Sequence, residues 1–251
     1  MEHPSPSGLL DPVKPGDLLS LEITDLTPQG DGIAHTAGLG QGRVVFVSQA
    51  VPGDQVVAQI TEIKRNYLVG RIRSLIAPSP ERVRPACIVA DKCGGCQWQH
   101  VSYAQQLVTK QQILRDALER IGGLTLPEPV PILGSPQPLR YRNKVTYPIA
   151  KAAGQPLRVG YYQRGSHRLV NLNQCPVQDE RLDVFLSEIK RDLQATGWSV
   201  YDESRHQGHL RHLGLRIGRR TREVLLTLVS CSRDLPHLES WAERWMRRYP
   251  D

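Results

Sequence analysis

The sequence predicts an all-β barrel followed by an α+β domain, on three observations. Short alternating strands with glycine turns fill residues 15–76, helical stripes mixed with strands fill 124–251, and a cysteine-rich loop lies between. In the first stretch Leu19, Leu21 and Ile23 alternate with Ser20, Glu22 and Thr24, and Val56, Ala58 and Ile60 alternate with Val57, Gln59 and Thr61. A short apolar strand at 43–47 lies between them, Pro52-Gly53-Asp54 turns the chain, and a further strand follows at 67–74. Strands crowded into about sixty residues without a helix point to a small closed barrel of the OB type, which commonly binds oligonucleotides. An adaptor barrel with no nucleic-acid role is the alternative.

Ahead of the barrel, residues 1–14 are rich in proline and serine and are expected to be flexible. Residues 77–98 are a proline-stiffened connector and a cysteine loop. Over 99–123, Ser102 and Gln105 form a capping box, and Leu107, Leu114, Leu118 and Ile121 make an apolar stripe that ends at Gly122-Gly123. Strands return between Tyr141 and Leu172, with a turn near Arg164-Gly165. A second helix carries Leu182, Phe185, Ile189 and Leu193, strands follow at 209–217 and 223–230, and a last helix at 235–249 turns Leu238, Trp241 and Trp245 to one side. An α+β domain that stops on a helix with no pairing strand after it reads as incomplete; a docked terminal helix gives the same pattern.

Composition narrows the function. With 251 residues, 39% hydrophobic and 23% charged, the chain suits two folded domains rather than a disordered one. A net charge of +7 and a pI near 9.3 favour a polyanionic partner, nucleic acid before membrane, although mild basicity also aids solubility. No stretch approaches the roughly 18 apolar residues of a membrane span and no signal-peptide core is present, so a cytoplasmic protein is expected.

Cys87, Cys93 and Cys96 are spaced C-x5-C-x2-C, and Cys175 stands far downstream, directly before Pro176. Three thiolates from one loop and a fourth from a distant strand suit the iron corners of a cubane cluster, and a Cys-Pro ending occurs in ferredoxin-type runs. Gly94-Gly95 lets the backbone wrap closely round the sulfurs. A structural zinc tetrahedron is the rival, although zinc sites usually use two C-x2-C pairs. With four protein ligands filled, either metal is structural. Cys231 follows the apolar run 225–230 and reads as a buried thiol at a strand end rather than a nucleophile.

The run CIVADKCGGCQWQH at 87–100 closely resembles the cluster loop of the RNA uracil-5-methyltransferase family. Arg140-Tyr141-Arg142-Asn143-Lys144, Gly160-Tyr161-Tyr162, Cys175-Pro176 and Leu210-Arg211-His212 resemble its central domain in the same order, and the barrel resembles its TRAM domain. The 23S ribosomal RNA branch fits better than the transfer RNA branch. The resemblance implies a 4Fe-4S cluster on Cys87, Cys93, Cys96 and Cys175, S-adenosylmethionine as methyl donor, and RNA as partner.

In that family the nucleophile, the general base and the S-adenosylmethionine site lie in a Rossmann-like domain beyond the central one. The expectation is therefore of an N-terminal portion, inactive by itself, with that domain absent, no catalytic residue before Asp251 and no S-adenosylmethionine site to place. A stand-alone RNA-binding module without methyltransferase activity is the alternative. The helix within 99–123 is expected to pack on the missing domain, and the full-length protein to be a monomer.

RNA contacts are expected from Lys64, Arg65, Tyr67, Arg71 and Arg73, where basic groups flank an aromatic ring that can stack on a base. Arg142, Asn143 and Lys144 beside one strand, and Arg211 with His212 on another, are further candidates. Solvated surface charge is the plain alternative for each.

Overall fold

The computed structural model describes residues 13–36, 42–128, 130–152 and 154–250, in two units. One comprises the described residues up to Pro85 with Gln97–Gly134; the other joins Ala86–Cys96 to the described residues from Ser135 onward. The expected loose start at 1–14 lies, except for Val13 and Lys14, outside the described residues.

In the first unit, β1 (Leu18–Glu22), β2 (Asp25–Leu26), β3 (Asp31–His35), β4 (Val44–Ser48), β5 (Gln55–Ile63) and β6 (Tyr67–Ala77) form one sheet in the order β1-β5-β6-β4-β3-β2. Because β1 and β2 are successive stretches of one segment, the two ends of the sheet meet and it closes on itself. Pairing is antiparallel except between β4 and β6. Alternation puts Leu21, Ile23, Val45, Val47, Val56, Ala58, Ile60 and Leu68 inside.

The connector is tied to this barrel by one buried carboxylate. Asp54 is fully buried and accepts from the Val51 amide at 2.7 Å, the Ser79 amide at 2.9 Å and Arg82 Nε at 3.1 Å. Arg82 Nη2 also donates to the Gln49 carbonyl at 2.9 Å. Trp98 and Val101 pack with Leu26 and Val51, and Gly30, at φ +87°, leaves room for them: a Cβ there would stand 2.8 Å from Gln97 Cβ and 2.9 Å from the Trp98 ring.

Helix α1 (Tyr103–Asp116) starts where Ser102 Oγ accepts from the Gln105 amide at 3.1 Å. It ends earlier than the expected stripe, passing into a π-helical turn at Ala117–Ile121. The stripe itself is corrected: Leu114 and Ile121 are exposed, and Thr109 is the buried residue of α1.

In the second unit, β7 (Lys144–Ala150), β8 (Arg158–Tyr162), β9 (Leu169–Asn171), β10 (Leu210–Ile217) and β11 (Val224–Ser230) form an antiparallel sheet in the order β11-β10-β7-β8-β9. Helix α2 (Arg181–Ala195) buries Leu182, Leu186, Ile189 and Leu193 in its core. Leu186 joins the expected stripe, and Phe185 packs partly buried against the same core, its ring 4.5 Å from that of Tyr249. The last helix, α3 (Leu238–Arg248), is docked: Trp245 belongs to the same core, its Nε1 donates to Asp192 on α2 at 2.9 Å, and Arg248 pairs with Asp192 at 2.8 Å. These contacts bear out the reading of a docked terminal helix. Among the described residues no helix is long and apolar enough to cross a membrane.

Leu186 is 0% exposed, so Leu186→Ala removes buried methyl groups and leaves a cavity. The expected loss is about 2–5 kcal/mol, read from hydrogen exchange of the β7 and β10 amides. Unchanged protection there would contradict the placement of α2.

Candidate cysteine centre and nucleic-acid interface

The cysteine loop folds as a series of tight turns: the Ala90 amide donates to the Cys87 carbonyl at 3.2 Å, and the Lys92 and Cys93 amides to the Val89 carbonyl at 3.0 and 2.8 Å. It then docks on the end of β8, where the Gly94 amide donates to the Tyr162 carbonyl at 2.9 Å and Cys93 bridges Gln163. A Cβ at Gly94 would fall 2.8 Å from that carbonyl oxygen, and one at Gly95 3.3 Å from the Tyr161 ring, so glycine permits both approaches. The Gly95 amide donates to Cys93 Sγ at 3.4 Å.

Cys175 is buried and set by its own surroundings: its amide donates to Asp183 Oδ1 at 3.0 Å, and Gln178 Nε2 donates to the same oxygen at 2.6 Å. Burial, joined by the sulfurs of Cys96, Cys87 and Cys175, pushes the Cys93 thiol up. The fold thus brings Cys175, distant in sequence, close enough to the loop of Cys87, Cys93 and Cys96 for its sulfur to bear on Cys93. None of the five cysteines is in a disulfide. Among the described residues no group of three or more His, Cys, Asp or Glu side chains is arranged to hold a single metal ion. Cys231 is exposed, which corrects its reading as a buried thiol.

On the barrel, strand parity sorts the expected RNA residues. Leu68, Gly70 and Ile72 turn inward, so Tyr67 and Arg71 share the outer face of β6, and Arg73 is exposed as the extra residue where the β5–β6 register shifts between Ile72 and Ser74. Gln59 on β5 accepts from Arg71 at 2.9 and 3.2 Å, fixing its guanidinium. Lys64 is paired with Glu62 at 2.7 Å, and Lys64 and Arg65 lie exposed in the turn before Tyr67. Phe46, on the outer face of β4, meets Tyr67 edge-on at 5.2 Å between ring centres. Sequence reasoning did not single it out, although its period-2 position between Val45 and Val47 marks it as outward.

In the second unit, Arg142 is anchored by its backbone, donating to the Val177 carbonyl at 3.0 Å and accepting from the Asp179 amide at 2.8 Å. Burial opposes its charge, but a hydrogen bond to the Tyr161 hydroxyl, with Tyr161, Tyr141 and Cys96 nearby, holds its guanidinium above the ordinary value. Asn143 and Lys144 are exposed at the start of β7. Arg211 falls where the β10–β11 register shifts between Leu210 and His212, so it is the extra residue of a bulge. Its guanidinium lies 4.6 Å from the centre of the Tyr201 ring. His212 is partly buried, and burial followed by Arg211 lowers its pKa.

Comparison with known proteins gives this geometry a family context. Residues 12–72 match the TRAM domain family. An uncharacterized RNA methyltransferase of Synechocystis sp. is 52% identical over 94% of this chain and 50% of its own length, and one of Nostoc sp. is equally similar, 52% over 94% and 50%. The crystal structure of Pyrococcus abyssi tRNA (uracil-54, C5)-methyltransferase in complex with S-adenosyl-L-homocysteine has a TM-score of 0.64 at 24% identity, covering 88% of this chain and 48% of that one. The chain spans about half the length of the curated relatives it matches.

These matches correct the expectation of a front portion without a methyltransferase domain. RNA methyltransferases align over 94% of the chain and the solved one over 88%, so almost none of it stands outside such proteins. The inactivity inferred from the position of Asp251, and the stand-alone module without methyltransferase activity, are withdrawn on the same finding. This chain carries a TRAM domain and is related over nearly all its length to RNA methyltransferases.

Proposed function

We propose that this protein is an S-adenosylmethionine-dependent RNA (uracil-C5)-methyltransferase whose substrate is 23S ribosomal RNA. The observation that carries the proposal is the 52% identity to an RNA methyltransferase over 94% of the chain. The TRAM domain and the outward set of Phe46, Tyr67, Arg71 and Arg73 support an RNA partner, since aromatic faces beside guanidinium groups stack bases and pair phosphates. Uracil C5 becomes nucleophilic when a thiolate adds to C6, and a base then removes the C5 proton after methylation. S-adenosylmethionine supplies the methyl group. Cys231 is not assigned to the thiolate role, and none of the described residues is assigned to catalysis.

We further propose that Cys87, Cys93, Cys96 and Cys175 hold a 4Fe-4S cluster. The donor set fits: four thiols gather in one neighbourhood, an amide from Gly95 already points at one sulfur, and each thiolate can take one iron. The cluster's role in this reading is to pin the 86–96 loop and the Cys175 segment to one sheet, leaving methyl transfer to other groups.

The test is methylation of transcribed 23S ribosomal RNA and of transfer RNA with labelled methyl donor, followed by mass mapping of 5-methyluridine. The expected result is one modified uridine in 23S RNA. Label in transfer RNA alone would overturn the substrate, and label in neither RNA the activity.

A further inference from the structure

We propose that an open cavity of about 660 Å³ in the second unit is a docking site for a single nucleotide of the RNA substrate. The inference rests on the RNA reading above and adds a site separate from the barrel face and the cysteine loop. Its lining combines apolar residues, Pro136, Pro138 and Leu139, with three arginines, Arg140, Arg181 and Arg219. A bare phosphate needs far less room, whereas small-molecule pockets span about 300–1,000 Å³. Apolar lining beside guanidinium groups suits a nucleotide, whose base or ribose can rest on the prolines and whose phosphate can pair with arginine.

The arginines are held in place. Asp179, 7% exposed, accepts from Arg181 Nε and Nη2, both at 2.8 Å, and lies 3.5 Å from Arg219 Nε. Arg219 also donates to the Arg140 carbonyl, and Arg140 pairs with Asp183 at 3.1 Å. Each guanidinium has five N–H donors, so these bonds leave others unspent, and the three side chains remain 40–44% exposed. Asp179 thus positions Arg181 and Arg219; with Asp183 on Arg140 and Glu180 on the rim, three carboxylates accompany the three guanidinium groups, so a phosphate is held by their unspent, directed N–H donors rather than by net charge.

Arg140 adopts φ +58°, a left-handed conformation that is strained for a non-glycine residue and concentrates at functional sites. Its amide donates at 3.0 Å to the carbonyl of Pro176, next to Cys175, so the same segment shapes the pocket and the cysteine centre. Glu180, exposed on the rim, repels an anion and gives the proposal a signed control.

The experiment is equilibrium binding of the full protein to a labelled uridine-rich RNA stem-loop across a salt series, for wild type, Arg219→Ala and Glu180→Gln. Arg219→Ala leaves Asp179 paired with Arg181, and an unchanged thermal midpoint verifies its fold. Arg219→Ala is expected to weaken binding about tenfold and to lower the slope of log affinity against log salt by about 0.7, the loss of one phosphate contact. Glu180→Gln is expected to tighten binding severalfold. If wild type binds but both variants match it in affinity and slope, the pocket is overturned while the RNA reading stands. If wild type binds no RNA, the RNA reading fails and takes the pocket with it.

Discussion

Cys93→Ser is expected to abolish the broad visible absorbance and acid-labile sulfide of the purified protein and to lower its thermal midpoint. Cys93 accepts from the Gly95 amide, feels the other three sulfurs, and sits where the loop bridges Gln163. Serine keeps the backbone bridge but removes the soft sulfur donor, so the proposed cluster loses one of its four ligands while the loop's docking on β8 is retained. Metal sites closed by four thiolates contribute their binding energy to folding, on the order of 10 kcal/mol for structural zinc, so the loss should exceed that of any core truncation. The measurement pairs iron and sulfide analysis with a thermal scan. Wild-type protein containing stoichiometric zinc and no sulfide would sink the cluster, and a variant with unchanged iron would show that Cys93 is not a ligand.

The parts legible in the sequence were those with a local period. Val56, Ala58 and Ile60 alternate, and the barrel buries all three; Cys87, Cys93 and Cys96 are local and share one loop. What escaped was decided by distant partners. Phe185 and Leu186 both fit a helical stripe with Leu182 and Ile189; Leu186 is fully buried, whereas Phe185 stays at the edge of the same core against Tyr249, far along the chain. Cys231 follows an apolar run that suggested burial, but β11 is an edge strand with Leu225 61% and Val229 39% exposed, and its end is open to solvent. Arg140, Arg181 and Arg219 have no sequence spacing in common; only the sheet order and the start of α2 bring them round one cavity.

Arg82→Ala is expected to destabilise the barrel by about 3–5 kcal/mol at neutral pH, because it leaves the Asp54 carboxylate buried without its cation. Burial pushes the Asp54 pKa up, but Arg82 and the Ser79 and Val51 amides outweigh it and hold the carboxyl below the ordinary value. The sign follows from that direction. A depressed carboxyl contributes stability above its unfolded pKa of about 3.9 and loses it as pH falls through the folded value. Removing Arg82 takes away the dominant lowering influence, so the gap between wild type and variant should be widest near neutrality and shrink as the pH falls from the variant's higher Asp54 pKa through the wild type's depressed one. Exchange rates of the Val45 and Val47 amides, both inside the barrel, measure that gap at each pH. A constant gap from neutral to acid pH would mean that Arg82 acts through its bond to the Gln49 carbonyl rather than through Asp54, and the charge pair would lose its place as the clasp of the barrel.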